Sequence, residues 1–324
     1  MIVVTGGAGF IGSNLVAALE QRGETETLVC DRLGKDAKWR NLAMREVSAI
    51  VPPENLFDFL NGSAGAVDAI VHMGAISDTT ESDAALLMEN NTMFSLALWE
   101  WCAAHNVRLI YASSAATYGD GANGFDDDPS PEALARLCPL NAYAWSKHLF
   151  DRRVARMLAN GVSAPPQTVG LKFFNVYGPN EEHKGAQRSV VHQAWGQVVD
   201  DGRVRLFRSH HPDYGDGEQS RDFIHVDDCV AVMLWLLDHG DVSGLFNVGT
   251  GTARSFLDLA RAVFASMGRA EEIQFIDTPA PLRRRYQNYT CARIDRLREA
   301  GYDAPFTTLE DGIGRYVRTL VAVD

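Results

Sequence analysis

Short apolar runs alternate along the first half of the chain with segments of helical periodicity. Ile2-Val3-Val4 and Ala69-Ile70-Val71 contain only apolar residues, which is typical of parallel strands buried on both faces. Between them, residues 10–22 carry apolar side chains at helical spacing, and Gly23 follows in the position of a C-cap. This alternation predicts an α/β fold with a doubly wound, Rossmann-type parallel sheet.

The pattern also predicts a division of the chain into two domains. Further strands are predicted near residues 27–31, 107–114, 168–174 and 244–249, and the pattern becomes irregular after residue 174. We predict that residues 1–174 form the NADP-binding Rossmann domain, to which 221–240 return. Residues 175–220 and 245–324 are predicted to form a smaller α/β substrate domain. Residues 125–139, with three prolines and three consecutive aspartates, are predicted to form an exposed, solvated loop.

Composition narrows the classes of protein. Of the 324 residues, 46% are hydrophobic, enough for a sizeable core, and the net charge of −12 argues against a nucleic-acid surface. The longest apolar run, Cys229–Leu237, is too short to span a bilayer, and a strand at residue 2 leaves no room for a signal peptide. The five cysteines are widely spaced, which predicts reduced thiols and no metal site. We therefore expect a cytoplasmic protein with no membrane partner.

A glycine-rich turn joins the first strand to the first helix, in the run Thr5-Gly6-Gly7-Ala8-Gly9-Phe10-Ile11-Gly12. Gly6 would allow the tight turn, Gly9 the close approach of the backbone to a pyrophosphate, and Gly12 close helix packing. The N–H groups of the helix N-terminus would then face the phosphates. Asp31 ends the second strand, at the spacing where an acid binds an adenosine ribose. The turn therefore predicts a dinucleotide cofactor, against the alternative of an ordinary strand-turn-helix.

The residues after Asp31 bear on the choice of cofactor. An acid favours the free 2′-hydroxyl of NAD, whereas Arg32 and Lys38 can neutralise the 2′-phosphate of NADP. These signals conflict, so NADP is expected with NAD as the alternative. The mostly small residues after the predicted strand at Ala69-Ile70-Val71 would let a cofactor lie across the carboxyl edge of the sheet: Met73, Gly74, Ala75, Ile76 and Ser77.

Two later segments carry groups that could oxidise an alcohol. Ser114 lies at the end of a strand, where ligands bind in doubly wound sheets. Tyr143 and Lys147 are four residues apart on one helix face, so Lys147 can lower the phenol pKa from its unperturbed value of about 10. Together with the glycine turn, these groups predict redox chemistry on a hydroxyl.

Four motifs together resemble the extended short-chain dehydrogenase/reductases that act on nucleotide sugars: Ser114-Ala-Ala-Thr-Tyr-Gly, Tyr143-x-x-x-Lys147, Asn175-Val-Tyr-Gly-Pro and Arg221-Asp-Phe-x-x-Val. The resemblance covers nearly the whole chain. The segment His183-Lys184-Gly185 resembles a segment found in one branch of this family. The enzymes of that branch invert C6 of an ADP-heptose in lipopolysaccharide precursor synthesis.

The resemblance implies roles for individual residues. Tyr143 would be the acid/base, Lys147 would hold the nicotinamide ribose, Ser114 would hydrogen-bond the hydroxyl, and Lys184 would be a second acid/base. Cofactor contacts, usually to NADP, are implied at Phe10, Ile11, Asp31, Arg32, Lys38, Asn90, Tyr143, Lys147, Val176 and Lys184. Substrate contacts are implied at Ser114, Asn175, Ala186, His192, Phe207, Arg208, Ser209, Arg221 and Tyr286. Members of the family form homo-oligomers, often pentamers.

A second acid/base also follows from the chemistry of the reaction. The inverted carbon has no acidic C–H, so oxidation to a ketone and return of the hydride to the other face is the expected route. The hydroxyl points in different directions in the two epimers, and one tyrosine can hardly reach both positions. Lys184 is our candidate for the second group.

Three other functions remain as alternatives. A UDP-hexose 4-epimerase, or another NAD(P)-dependent nucleotide-sugar oxidoreductase, could use the same scaffold. A 4,6-dehydratase is disfavoured, because Ala115 and Ala116 stand where that reaction needs an acid pair. A dinucleotide-sensing module without catalysis would have no need for Ser114, Tyr143 and Lys147 together.

Overall fold

The computed structural model describes residues 1–35, 37–279, 283 and 287–323. Tyr286, one of the predicted substrate contacts, lies outside these described residues. Within them, we find no helix that is both long and apolar enough to cross a membrane.

Twelve strands are present in the described part of the chain. They are β1 Ile2–Thr5, β2 Thr27–Cys30, β3 Ala49–Val51, β4 Ala69–His72, β5 Arg108–Ser114, β6 Thr168–Phe173, β7 Asn175–Tyr177, β8 Val204–Phe207, β9 Ser220–His225, β10 Gly244–Val248, β11 Ala253–Ser255 and β12 Ile273–Ile276. Seven of them form one sheet in the order β10-β6-β5-β4-β1-β2-β3, and every pair in it is parallel. The predicted doubly wound parallel sheet is confirmed.

The α-helices lie between and after these strands. They are α1 Phe10–Gln21, α2 Leu56–Ser63, α3 Ala84–Leu87, α4 Phe94–His105, α5 Pro131–Leu134, α6 Ala142–Ala159, α7 Val190–Asp201, α8 Val226–Asp238, α9 Phe256–Ser266, α10 Asp295–Glu299 and α11 Leu309–Val323. A π-helical stretch, Met88–Met93, joins α3 to α4. Short 3-10 helices occupy Ala37–Leu42, Pro53–Asn55, Ala64–Ala66, Ala115–Tyr118 and Glu182–Gln187.

Helices cover both faces of the large sheet. Apolar side chains of α1 and α8 pack on one face, and those of α2, α4 and α6 pack on the other. Leu15 and Leu19 of α1 are almost fully buried, and each such burial stabilises the fold by roughly 1.5–3 kcal/mol. A third apolar cluster joins α7, α9 and α11 with β8.

The strand order places the cofactor edge. The chain runs from β1 outward to β3 and then returns to β4 on the other side of β1. In open α/β sheets, ligands bind outside the carboxyl ends of the strands at such a reversal. The glycine turn follows β1 and residues 73–77 follow β4, so both lie at this position.

Two strands differ from the predicted division into domains. β10 pairs with β6 in the large sheet, from Gly244 opposite Val169 to Val248 opposite Phe173, although we predicted that residues from 245 onward belong to the smaller domain. β9 pairs instead with β7 and β11 in a separate three-stranded sheet, whereas α8 and Ile224 of β9 pack in the core of the large sheet. Apolar strands of similar length do not reveal from sequence which sheet they join.

The segment 125–139 is also not a simple solvated loop. It contains α5, and Asp127 is only 1% exposed. The Asp127 carboxylate accepts a hydrogen bond from the backbone N–H of Asn247 at 2.7 Å, and burial raises the pKa of Asp127 to about 6. The prediction that this acidic run is only solvated is therefore wrong for Asp127.

Candidate active site

The glycine turn packs directly against the loop that follows β4. Gly6 has φ of +65°, and a Cβ added there would lie 2.7 Å from the Gly74 backbone. A Cβ at Gly12 would lie 2.2 Å from the Gly6 carbonyl oxygen. Gly9 precedes α1, and among the described residues no side chain caps that helix. The N–H groups at the start of α1 thus remain as donors that fit a pyrophosphate.

The end of β2 gathers the predicted adenosine-binding residues. The Asp31 carboxylate accepts hydrogen bonds from the Ala8 N–H at 2.9 Å and from the Lys38 ammonium at 2.5 Å. Arg32 donates to the Asn90 side chain at 3.3 Å and forms an exposed ion pair with Glu54. The Asp31 carboxylate is therefore already paired with the Lys38 ammonium, and Arg32 is a second cation next to it in the sequence.

Asn91, which we did not predict as a site residue, joins the cofactor edge to the helix that bears Tyr143. It is fully buried, and its amide bonds both the N–H and the carbonyl of Ile76, each at 2.9 Å. It also donates to the Ser146 hydroxyl at 3.0 Å, which in turn donates to the Tyr143 carbonyl at 2.7 Å. The signal in the sequence was a polar residue in an otherwise apolar helical pattern.

A second buried chain that we did not predict runs from the glycine turn to the same helical region. Gly74 N–H donates to the Thr5 hydroxyl, which lies 2.6 Å from His72 Nδ1, and His72 Nε2 lies 2.8 Å from Ser95 Oγ. Burial and the nearby Lys147 lower the pKa of His72 to about 3, so its ring is neutral. This chain ties β1, β4 and α4 together beneath the cofactor edge.

Ser114 and Tyr143 meet at the carboxyl end of β5. The Asn141 side chain caps α6 by accepting from the Ala144 N–H at 2.8 Å, which places Tyr143 in the first turn. The Ser114 oxygen accepts from the Ala116 N–H at 3.1 Å, which leaves its proton for the phenol of Tyr143. Burial raises the pKa of Tyr143, and the hydrogen bond with Ser114 lowers it. Ser114 thus favours the phenolate that a base requires.

Lys147 lies one turn further along α6. It is 3% exposed and donates to the Ala112 carbonyl at 2.8 Å. Burial lowers the pKa of Lys147 to about 8, while the Asp151 carboxylate raises it. The predicted lowering of the phenol pKa is not the net result here, because burial of Tyr143 outweighs the hydrogen bond from Ser114.

The segment that carries Lys184 lies against the first turn of α1. The Lys184 ammonium is 5.2 Å from the centre of the Phe10 ring. Asn41 donates to the carbonyls of Ala8 and Asn180, which ties the start of this segment to the glycine turn. Burial lowers the pKa of Lys184, and Glu181 raises it. The structure therefore places a partly buried amine beside the predicted cofactor site.

Arg221 is linked to the end of β5. It is 8% exposed, and its guanidinium donates to the carbonyls of Ser220 and Gln287 and packs over the Phe256 ring. The Gln287 amide donates to the carbonyl of Gly119, five residues after Ser114. Asn175 is exposed at the start of β7, and Val176 beside it is half-buried.

Comparison with known proteins gives the family. Residues 2–249 match the model of the NAD dependent epimerase/dehydratase family. The chain belongs to this family. A nicotinamide dinucleotide is thus the cofactor class, and the glycine turn and the open start of α1 fit it.

Individual relatives of the epimerase/dehydratase family resemble the chain over nearly its full length. An ADP-L-glycero-D-manno-heptose-6-epimerase of Nitratidesulfovibrio vulgaris (strain DP4) is 51% identical, covering 99% of this chain and 98% of the relative. The crystal structure of the Helicobacter pylori ADP-L-glycero-D-manno-heptose-6-epimerase has a TM-score of 0.78 at 28% identity, covering 99% and 96%. A Thermus thermophilus UDP-glucose 4-epimerase in complex with NAD has a TM-score of 0.76 at 25% identity, covering 100% and 99%.

The remaining residues predicted to contact the substrate differ in their exposure and in their bonding partners. Phe207 ends β8, and Arg208 after it is 54% exposed and pairs with Asp277 at 3.0 Å. The Ser209 hydroxyl donates to a neighbouring backbone carbonyl, and Ala186 is exposed. Arg208 thus has a partner that a phosphate would have to displace or share.

His192 differs most from its implied role as a substrate contact. It is 5% exposed, and its ring centre is 5.7 Å from that of Trp195 and 6.2 Å from that of Tyr316. The structure thus buries His192 in the packing between α7 and α11.

Proposed function

We propose that this chain inverts C6 of ADP-D-glycero-D-manno-heptose to give ADP-L-glycero-D-manno-heptose, a step of lipopolysaccharide core precursor synthesis. The observation that supports this most directly is the position of Lys184 beside Phe10, on the cofactor side of the site. A group there, in addition to Tyr143, meets the need for two acid/bases. The names of the relatives agree with this substrate.

The side chains then divide the proton transfers. A bound nicotinamide dinucleotide supplies a reversible hydride acceptor and, when oxidised, a positive charge that favours the phenolate. Tyr143, with Ser114 donating to it, removes the hydroxyl proton of one epimer as C6 loses its hydride. Lys184 gives a proton to the ketone oxygen as the hydride returns to the opposite face, and exchange with water then deprotonates Tyr143 and reprotonates Lys184 before the next turnover. Reversal of these roles converts the other epimer.

Arg221 is the proposed anchor of the diphosphate. Its guanidinium is held by two backbone carbonyls and by Phe256, so little side-chain freedom remains to be lost on binding. With the ADP fixed there, rotation about the exocyclic bond of the sugar presents either face of C6 to the same hydride.

The proposal is tested by incubating purified protein with ADP-D-glycero-D-manno-heptose and NADP. We expect the two epimers to interconvert, as followed by NMR, with no net appearance of NADPH absorbance. UDP-glucose is the control substrate and should remain unchanged. Stoichiometric NADPH would indicate a dehydrogenase instead, and conversion of UDP-glucose alone would indicate a 4-epimerase.

We also infer that NADP is preferred over NAD. Lys38 pairs with Asp31 and so reduces the repulsion that this acid would exert on a 2′-phosphate. Arg32 is 60% exposed, and within the described part of the chain its side chain makes one surface ion pair and one hydrogen bond, so it can turn toward a phosphate.

The substitution Arg32→Ala tests this preference for NADP. A charge-assisted hydrogen bond contributes about 1.5–3 kcal/mol, so NADP binding should weaken by about 10–100-fold while NAD binding changes little. Isothermal titration with each cofactor measures both constants. Arg22→Ala, which removes a surface arginine paired with Asp238, is the control. Equal losses for NAD and NADP would contradict the preference.

A further inference from the structure

A buried ion pair lies behind the Ser114, Tyr143 and Lys147 groups. Asp151 is one helical turn after Lys147 on α6, and both Asp151 and Lys172 have fully buried side chains. The Asp151 carboxylate accepts from the Lys172 ammonium at 2.9 Å and from the Ser113 hydroxyl at 2.6 Å. Both bonds go to the same carboxylate oxygen, the other oxygen, Oδ1, is buried without a hydrogen-bond partner among the described residues, and the pair is shielded from water.

Lys172 has further partners on the segment after β5. Its ammonium donates to the Thr117 hydroxyl at 2.6 Å and lies 4.8 Å from the centre of the Tyr118 ring. Ser113 and Thr117 stand on either side of Ser114 in the sequence, and Lys172 is on β6. One ion pair thus joins the strand end that bears Ser114 to the helix that bears Tyr143.

Stability alone is a weak reason for such a pair. Two apolar residues of similar volume often stabilise a core as well as a buried ion pair does, because they avoid the cost of removing two charges from water. Both charges here lie on elements that carry the proposed catalytic groups, which points to a role in the reaction.

We propose that Asp151 and Lys172 are positioning residues that set the pH range in which Tyr143 and Lys147 work, and that keep Ser114 in contact with Tyr143. The inference rests on the proposed function of the Tyr143 and Lys147 pair. Neither Asp151 nor Lys172 would touch the substrate.

The charges of Asp151 and Lys172 predict the direction in which each residue shifts the pKa of Tyr143 and Lys147. The negative charge of Asp151 raises the pKa of both Tyr143 and Lys147. The positive charge of Lys172 opposes that effect, since it is 2.9 Å from the same carboxylate. Four ionisable side chains that face the two pairs are held neutral near pH 7 by burial, which lowers the pKa of His72 and His148 and raises that of Tyr111 and Tyr118. The charged groups nearby are Arg152, which acts on His148, Asp127, which acts on Tyr118, and Asp128 and Arg296, which line a cavity together with Asp151.

The test compares the pH dependence of kcat for epimerisation in three variants. Asp151→Asn removes a negative charge, so both limbs of the profile should move to lower pH, by about one unit. Lys172→Met removes a positive charge, so both limbs should move to higher pH by a similar amount. In the double variant the two shifts should largely cancel. A role in folding alone would lower the height of the profile without moving its limbs in opposite directions.

Two controls keep the test decisive. Lys172→Arg retains the charge and should leave the midpoints of the limbs unchanged, and Asp238→Asn breaks the surface pair with Arg22 and should do the same. If Lys172→Met does not fold, Asp151→Asn should still move the midpoints to lower pH, whereas the double variant should leave them close to those of the unaltered protein. Limbs that stay in place in Asp151→Asn, or that move in the same direction in both single variants, would overturn the inference. Full activity of Tyr143→Phe would instead overturn the proposed function on which it rests.

Discussion

The two candidate acid/base groups, Tyr143 and Lys184, lie on very different elements of secondary structure. Tyr143 belongs to an 18-residue helix whose first turn is capped by Asn141 and linked through Ser146 to Asn91. Lys184 belongs to a six-residue 3-10 segment in which Gly185 has a φ of 55°. One group is thus held by regular structure and the other by a short irregular turn.

The turn that carries Lys184 is nevertheless anchored on both sides. Before it, the Asn180 amide donates to the Ser13 hydroxyl on α1 at 3.1 Å. After it, the Gln187 amide donates to the Asp78 carboxylate at 3.0 Å. These two anchors keep the Lys184 amine near the cofactor edge. The backbone between Asn180 and Gln187 then sets the direction of the Lys184 side chain. The difference suits a reaction in which one hydroxyl position is met by a rigid helix and the other by an added segment.

The largest effect is expected when the rigid group is removed. Tyr143→Phe keeps the ring but removes the phenol, and general acid–base groups contribute about 10²–10⁴-fold to rates. We expect epimerisation to fall by about 10³-fold or more, as measured by NMR of the epimer mixture. Tyr302→Phe, at a buried ring that packs against Trp235 away from the site, is the control. Activity of Tyr143→Phe within tenfold of the unaltered protein would remove this residue from the mechanism.

Removal of the second group should have a smaller effect. Lys184 is on a partly exposed segment, so water can take over part of its proton transfer, and we expect epimerisation of Lys184→Met to fall about 10²-fold. NADP binding should persist, because the glycine turn is unchanged. Arg269→Met, an exposed cation after α9, is the control.

Single turnovers separate the two groups further. Each variant should still oxidise one epimer, and the two variants should differ in which epimer that is. Reduced-cofactor absorbance after mixing with each purified epimer measures this. Loss of both oxidations in Lys184→Met would contradict a division of labour between the two groups.

The features that position the two groups also differ in how far the sequence predicts them. The glycine turn, Asp31 and the spacing of Tyr143 and Lys147 are local patterns, each set within one strand-turn-helix unit or one helical turn. Their positions follow from periodicity, and the structure brings Ser114 to Tyr143 as the doubly wound sheet requires.

Contacts between distant segments could not be predicted in the same way. Lys172 was visible as a charge inside an apolar strand, yet its partner Asp151 comes from α6, and one sequence does not give the register that pairs them. Arg208 likewise meets Asp277 from a segment far along the chain. The family resemblance implies a substrate contact at His192, although this position matches the family only approximately; the packing of α7 on α11 buries the residue, and that packing is set by tertiary contacts.

The smallest expected effect tests the irregular turn itself. Gly185 has a left-handed φ of 55°, and a Cβ added there would meet no heavy atom of the described residues within 4 Å, so Gly185→Ala changes the backbone preference alone. The ψ of Gly185 is −122°, so an alanine there would adopt a sparsely populated backbone conformation at a cost of roughly 1–3 kcal/mol; the turn that directs Lys184 should be populated less, and epimerisation should fall about 3–10-fold. The single-turnover oxidation that depends on Tyr143 should be unchanged.

Gly268→Ala is the matched control for this last prediction. Gly268 follows α9 with φ of +62°, again with no described heavy atom within 4 Å of an added Cβ. Both variants should lower Tm, because both glycines have a positive φ, while only Gly185→Ala should lose epimerisation. If both variants lose activity equally, the loss reflects general destabilisation. If Gly185→Ala slows both single-turnover oxidations alike, the turn supports the whole site, and the contrast between a rigid and an adjustable acid/base would not hold.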